Sequence, residues 1–212
     1  MKRIHAQHIS KRYGTGDSAV SALKEVDFTI DEGEFVAVMG ESGSGKSTLL
    51  SILGTLNSPT SGKLVVDDVD VYALGKDARA DFRRESIGFV FQNFNLIPYL
   101  TLAENVMLPL ATLKTRNAKK RAMAIAALER VGLSQKAARL PSQISGGEQE
   151  RVAIARAIVG RPPIILADEP TGNLDSKTGK EIMGIFDGLN AEGMTIIMVT
   201  HNPDYAAYAN RV

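Results

Sequence analysis

Eight residues, Gly40-Glu-Ser-Gly-Ser-Gly45-Lys46-Ser47, limit what this chain folds into more than anything else in its 212 residues. They fit G-x-x-x-x-G-K-[ST] in full, a pattern that works when a buried strand delivers the chain into the loop and a helix leaves it. Both neighbours read that way. Phe35-Val-Ala-Val-Met39 is a continuous apolar run, as in a strand covered on both faces, and Lys46 to Leu53 has helical character. In such a loop glycines let backbone N–H groups point inward around an anion, and the following helix adds its positive end. Lys46 then sets a point charge against the outer phosphates, and the Ser47 hydroxyl is placed to ligate Mg²⁺. Gly40, Ser42, Gly43, Ser44, Gly45, Lys46, Ser47 and Thr48 are therefore candidate contacts to a nucleoside triphosphate, weighed against a merely flexible glycine turn.

The rest of the chain keeps the same rhythm. Val26, Phe28 and Ile30 alternate as in a half-exposed strand, and Lys63 to Val66 and Ile87 to Phe91 read as short strands. Thr101-Leu-Ala-Glu104 is a capping box opening a helix that Pro109 ends, and Ala118 to Val131 is a helix stopped by Gly132. A helix over Ser145 to Val159 leads into the apolar strand Ile164 to Ala167. Ser176 to Leu189 is helical, and Thr195 to Thr200 is a last apolar strand. Strands alternating with helices predict an α/β fold with a mostly parallel central sheet, helices on both faces and an N-terminal antiparallel β part. The helical stretch from about 95 to 141 interrupts the rhythm as an inserted α-helical subdomain. The nucleotide-binding core then occupies about 1–94 and 142–212 of a single domain.

Ile164-Ile-Leu-Ala-Asp168-Glu169 is the second chemical element. An apolar strand ending in a carboxylate is how P-loop NTPase folds hold Mg²⁺ opposite the phosphate loop, which suits Asp168. Glu169 is then placed to orient the attacking water or accept its proton. Alone, such a pair more often reads as a turn or helix cap.

Composition excludes several classes. With a formal net charge of +1 there is no global field to draw the chain onto nucleic acid. The basic runs Arg83-Arg84 and Lys119-Lys120-Arg121 read as solvated helix faces. The chain has no cysteine, so disulfides and thiolate metal sites are out. MKRIHAQHISKRYG lacks the apolar core of a secretion signal. No apolar run approaches the about 20 residues of a membrane helix, so any work at a membrane goes through a partner.

Ile144-Ser145-Gly146-Gly147-Glu148-Gln149-Glu150-Arg151, followed by Val152-Ala-Ile-Ala-Arg156-Ala157, resembles the signature of ABC (ATP-binding cassette) ATPases, Leu-Ser-Gly-Gly-Gln, with Ile144 in place of Leu and Glu148 in place of Gln. Ser145 and Glu148 also form a capping box, and a helix N-terminus rich in glycine suits an anion. The resemblance covers essentially the whole chain, and what it implies is specific. Gln92 matches the Q-loop glutamine that reaches toward Mg²⁺ and the attacking water, so Gln92 joins Ser47 and Asp168 in the implied metal set. Gly172-Asn-Leu-Asp175 matches the D-loop, and His201 the switch histidine at the γ-phosphate. Tyr13 sits where the family places a ring that stacks on adenine. Ser145, Gly146, Gly147 and Glu148 would touch the ATP of a second copy in a head-to-tail dimer, and Glu169, His201 and Gln92 would be catalytic. His5 and His8 match no motif and read as surface residues of a first strand.

The resemblance also implies an integral membrane permease as partner, received on Asn93 to Thr101, where Phe94, Leu96, Ile97, Tyr99 and Leu100 would offer an apolar groove. That places the chain in the cytoplasm, on the inner face of a membrane. The run Phe94-Asn-Leu-Ile-Pro98-Tyr-Leu-Thr-Leu-Ala-Glu-Asn105 and Thr171-Gly-Asn173-Leu-Asp175 look most like the lipoprotein-release, macrolide-export and cell-division permease group. Soluble ABC ATPases of DNA repair or translation, and a nucleotide sensor without turnover, are the competing readings. The family normally continues beyond Val212 with another strand pair and helices, so a C-terminal piece of the usual domain is expected to be missing.

Overall fold

The computed structural model describes residues 3–16 and 19–212. Met1 and Lys2, which open the segment tested above for a secretion signal, lie outside the described residues. In chain order the structure runs β1 (Arg3–Tyr13), β2 (Val20–Asp31), β3 (Phe35–Val38), α1 (Lys46–Leu53), β4 (Ser61–Val66), β5 (Val69–Asp70), α2 (Lys76–Ser86) and β6 (Ile87–Val90). It continues with α3 (Leu102–Met107), α4 (Asn117–Arg130), α5 (Gly146–Ile158), β7 (Ile164–Asp168), α6 (Ser176–Ala191), β8 (Thr195–Val199) and α7 (Pro203–Ala206). One sheet is antiparallel, in the order β2-β1-β4-β5. The other, β3-β8-β7-β6, is parallel at every pairing.

The parallel sheet divides two cores by strict alternation. Phe35, Ala37, Val90, Ile165, Ala167, Ile196 and Met198 face the helices α3, α4, α5 and α6. Val36, Ile87, Ile164, Leu166, Ile197 and Val199 face α1 and the antiparallel sheet, where Leu50, Ile52, Ile9 and Leu64 meet them. Because both faces are covered, these strands read as unbroken apolar runs rather than as alternation. A slip of one residue would exchange the two sets, so the register is tightly specified.

Between β6 and α5 every described helix or strand is helical, with short 3₁₀ turns at Leu108–Leu110, Ser134–Lys136 and Pro141–Gln143. The capping box at Thr101 and Glu104 forms, and Pro109 falls in the 3₁₀ turn that follows α3. Asn105 is fully buried. Its carboxamide accepts the Ile97 N–H and donates to the carbonyls of Ile97, Leu100 and Thr101, tying the preceding loop down from inside.

Lys120 is not on a solvated face: it is buried, and its ammonium donates to the Ala111 carbonyl at 2.9 Å, because the turn before α4 leaves that carbonyl without a helical partner. Of the five apolar residues from Phe94 to Leu100, Leu96 packs on the core, Phe94, Ile97 and Leu100 are half-buried and Tyr99 stands well exposed. And α2 went unread, because no residue of KDARADFRRES is buried and there is no apolar stripe to detect. At the far end, the Arg211 carbonyl accepts the Ala37 N–H, and the Asn210 N–H donates to Phe35, along the outer edge of β3.

Candidate active site

Register explains why residues so far apart in sequence meet. Val38, Val199 and Asp168 pair across β3, β8 and β7, and Val90 pairs with Ala167 across β6 and β7. The carboxyl ends of four strands therefore share one edge, where open α/β sheets take their ligands. The phosphate loop leaves β3 there, Gln92 leaves β6, Glu169 leaves β7 and His201 leaves β8. They line one open cleft of about 570 Å³, together with Gly40, Ser42, Gly43, Gly45, Lys46, Ser47, Thr48 and Ala22.

The loop is held by its own backbone. Gly45 caps α1 with φ of 94° in the left-handed region, and a Cβ there would stand 2.4 Å from the Ala22 carbonyl, so only glycine fits. The Ser44 N–H donates to the Glu41 carbonyl at 3.2 Å, and the Ser44 side chain folds back against Gly40 rather than lining the cleft. The Lys46 ammonium donates to the carbonyls of Gly40 and Glu41, at 2.8 and 2.7 Å, and so spans the mouth of the loop. α1 has no acidic residue in its first turn, which leaves its positive end free for an anion.

Opposite the loop, the Ser47 hydroxyl donates to Asp168 Oδ1 at 3.2 Å. Burial pushes the Asp168 carboxyl above its ordinary pKa, the Ser47 hydroxyl draws it back, neighbouring Glu169 adds to the rise and Lys46 opposes it. Glu169 has φ of 47°, an unusual left-handed value for a side-chain-bearing residue, just after β7. Its N–H still donates to the Val199 carbonyl. Its carboxylate lies 3.0 Å from His201 Nδ1. A Cβ on Gly172 would approach both Gln92 Nε2 and Glu169 Oε2 at 3.4 Å, so amide and carboxylate flank one point. Asn173 Nδ2 donates to the Gln92 carbonyl at 3.0 Å and braces the loop that carries it.

Other expected residues stand elsewhere. Tyr13 ends β1 opposite Val20, with Lys11 over its ring at 5.1 Å; it is 43 % exposed and does not line the cleft. Ser145, Gly146, Gly147 and Glu148 form the N-terminus of α5, and none of them lines the cleft either. There the Ser145 hydroxyl accepts the Glu148 N–H at 3.3 Å, and the Glu148 carboxylate accepts the Ser145 N–H at 3.0 Å. The sequence reading missed Ala22 and Asn173 as parts of the site. Ala22 carries no chemical signal of its own, whereas Asn173 lies inside a motif already singled out.

The profile of the ABC transporter family matches residues 23–172. YvrO, an uncharacterized ABC transporter ATP-binding protein of Bacillus subtilis, is 51 % identical over 96 % of this chain and 89 % of its own length. The macrolide export ATP-binding/permease protein MacB of Syntrophobacter fumaroxidans is 48 % identical across the whole chain, which spans only 30 % of that longer protein. Among solved structures, the cassette MJ0796 in a dimeric post-hydrolysis state with ADP and Pi superposes with a TM-score of 0.89 at 45 % identity, over 97 % of this chain and 91 % of that one. The relative of that name comes from Methanocaldococcus jannaschii. With its phosphate loop and carboxylates gathered at one sheet edge, the chain belongs to the ABC transporter family as an ATP-binding, ATP-hydrolysing domain.

Proposed function

We propose that two copies of this chain close head to tail around two ATP molecules and thereby drive a membrane permease. One observation carries the dimer. The cleft gathers the phosphate loop, Gln92, Glu169 and His201 of one chain, while the other anion-suited element, the α5 N-terminus, lies outside it. A C₂ arrangement would bring Ser145, Gly146 and Gly147 of each copy onto the ATP of its partner, and ATP would favour the closed state because only that state offers both sets of contacts. The likeness to a dimeric cassette supports the same reading.

Within each cleft the loop N–H groups and Lys46 bind the β- and γ-phosphates, and the Tyr13 ring lies along the adenine. The Ser47 hydroxyl and Asp168 carboxylate are hard oxygen donors already in contact, with Gln92 nearby in the cleft. That is the sparse set Mg²⁺ uses when substrate phosphates complete its shell. Bound there, Mg²⁺ would neutralise charge on the phosphate oxygens. Glu169 orients the attacking water and accepts its proton as ADP and phosphate separate. His201, anchored by Nδ1 on Glu169, turns its second ring nitrogen toward the γ-phosphate. Loss of the bridging phosphate then opens the dimer.

Residues 1–94 and 142–212 form the nucleotide-binding core in this reading, and 95–141 the helical subdomain. No helix among the described residues is long and apolar enough to cross a membrane. A separate or fused permease would therefore hold the chain on the cytoplasmic face, with Asn93 to Thr101 and the exposed Tyr99 as contact. The MacB relatives, named ATP-binding/permease proteins, support an export or mechanical role.

Glu169→Gln should slow hydrolysis by about 10²-fold or more while trapping an ATP-bound dimer; unchanged turnover removes Glu169 from the chemistry. Purified with ATP from detergent-solubilised membranes, the same variant should bring down a stoichiometric integral membrane protein. Soluble partners alone would favour a non-transport ABC ATPase.

A further inference from the structure

The carboxylate of Glu148 sits in the first turn of α5, at the helix end assigned above to the partner's γ-phosphate. Its place in the capping box does not require a charge, because glutamine serves that position equally well. A carboxylate there takes up part of the helix's positive end, the same feature that would otherwise attract phosphate. Left alone, Glu148 would weaken the contact it frames.

It is not left alone. Lys136, from the 3₁₀ turn Ser134–Lys136, forms an ion pair and hydrogen bond with Glu148 Oε1, while Oε2 takes the Ser145 N–H. The Glu148 side chain is only 14 % exposed and that of Lys136 34 %, so the pair is partly shielded from solvent. Lys136, foremost, holds the Glu148 carboxyl below its ordinary pKa, with the Ser145 N–H assisting, so the Glu148 carboxyl is ionised at neutral pH.

We infer that Lys136 is a positioning residue of the ATP-closed dimer: its ammonium cancels the Glu148 charge and fixes the carboxylate on Ser145, so that the α5 N-terminus accepts the phosphate held by the second copy. The inference rests on the head-to-tail reading. It makes the charge of the signature turn depend on a residue from the helical stretch, 12 positions before Glu148 in the chain.

The two side chains allow a charge series. In the Glu169→Gln background, light scattering gives the ATP concentration at half-maximal dimerisation. Lys136→Met, which keeps the aliphatic stem, should raise it about tenfold, and Lys136→Arg should stay near the parent. Glu148→Gln should lower it several-fold, because Lys136 then faces the phosphate uncompensated. The double variant Lys136→Met/Glu148→Gln should return to within about twofold of the parent. Added salt should shrink these differences.

No effect of Lys136→Met, or a double variant as weak as Lys136→Met, overturns the inference. So does an equal loss in binding of a fluorescent ATP analogue by the monomer, since the effect would then not pass through α5. If the Glu169→Gln parent binds ATP yet stays monomeric, the head-to-tail reading itself fails and this inference with it, a result visible before any Lys136 variant is made.

Discussion

The cleft around Lys46 and the N-terminus of α5 both present glycines, a hydroxyl and backbone donors suited to an anion, yet they are built in opposite ways. The cleft is assembled from the ends of four parallel strands, and its groups hold one another: Lys46 on the loop carbonyls, Ser47 on Asp168, His201 on Glu169. The α5 terminus is one contiguous stretch, satisfied by its own capping box and by Lys136, and fixed from behind by α6. The first is a site within one chain. The second becomes one only when another chain supplies the ligand. Residues of the cleft should therefore govern what a monomer binds, and residues of the α5 terminus what a dimer does.

Lys46→Ala should give the largest effect. Loss of a charge-assisted contact of about 1.5–3 kcal/mol should weaken ATP binding by the isolated monomer about ten- to a hundredfold, as read by titration calorimetry. Normal affinity would undo the assignment of the cleft. Gly147→Ala should act on the other side of the comparison. A Cβ at Gly147 would lie 2.3 Å from Thr178 Cγ2, so either Thr178 turns and gives up its hydroxyl's bond to Asp175 or α5 and α6 part, at a cost of about 1–3 kcal/mol. Monomer ATP affinity should stay within about twofold while ATP-driven dimerisation is lost and Tm falls by a few degrees. Equal loss of both activities would mean that the two regions are not separable.

A pH-dependent effect sharpens how α5 is held. Two residues beyond the ion-paired Glu148 lies Glu150, fully buried, with no hydrogen-bond partner for either carboxylate oxygen among the described residues. Burial pushes its pKa up to about 9, against the pull of Arg156, whose guanidinium donates to the carbonyls of Phe94 and Asn95. The folded chain thus keeps a proton that the unfolded chain releases above the ordinary value of 4.5, so stability falls as pH rises from about 4.5 to about 9. Glu150→Gln removes that ionisation. Its Tm advantage over the parent should be smallest near pH 5 and grow toward pH 9 in thermal melts; an equal shift at every pH would show that the carboxyl does not titrate across this window.

Much of this was legible in advance because the signals are local. The phosphate loop needs glycine where φ is positive at Gly45, the capping boxes at Thr101 and Ser145 are short-range hydrogen bonding, and a strand buried on both faces is written as an apolar run. These features depend on residues a few positions apart, so the sequence by itself determined the parallel α/β core, the phosphate loop and the candidate chemistry at Asp168 and Glu169. Tertiary structure decided the rest. Register across β3, β8 and β7 placed His201 on Glu169, the approach of β2 set the Ala22 carbonyl against Gly45, and the 3₁₀ turn before Ala137 delivered Lys136 to Glu148. The same packing buried Lys120 and Glu150, two ionisable side chains that composition would leave in water. The physical reason is that pairing, burial and desolvation depend on distance in space, and separations of twelve to more than a hundred residues leave no periodic trace in the chain.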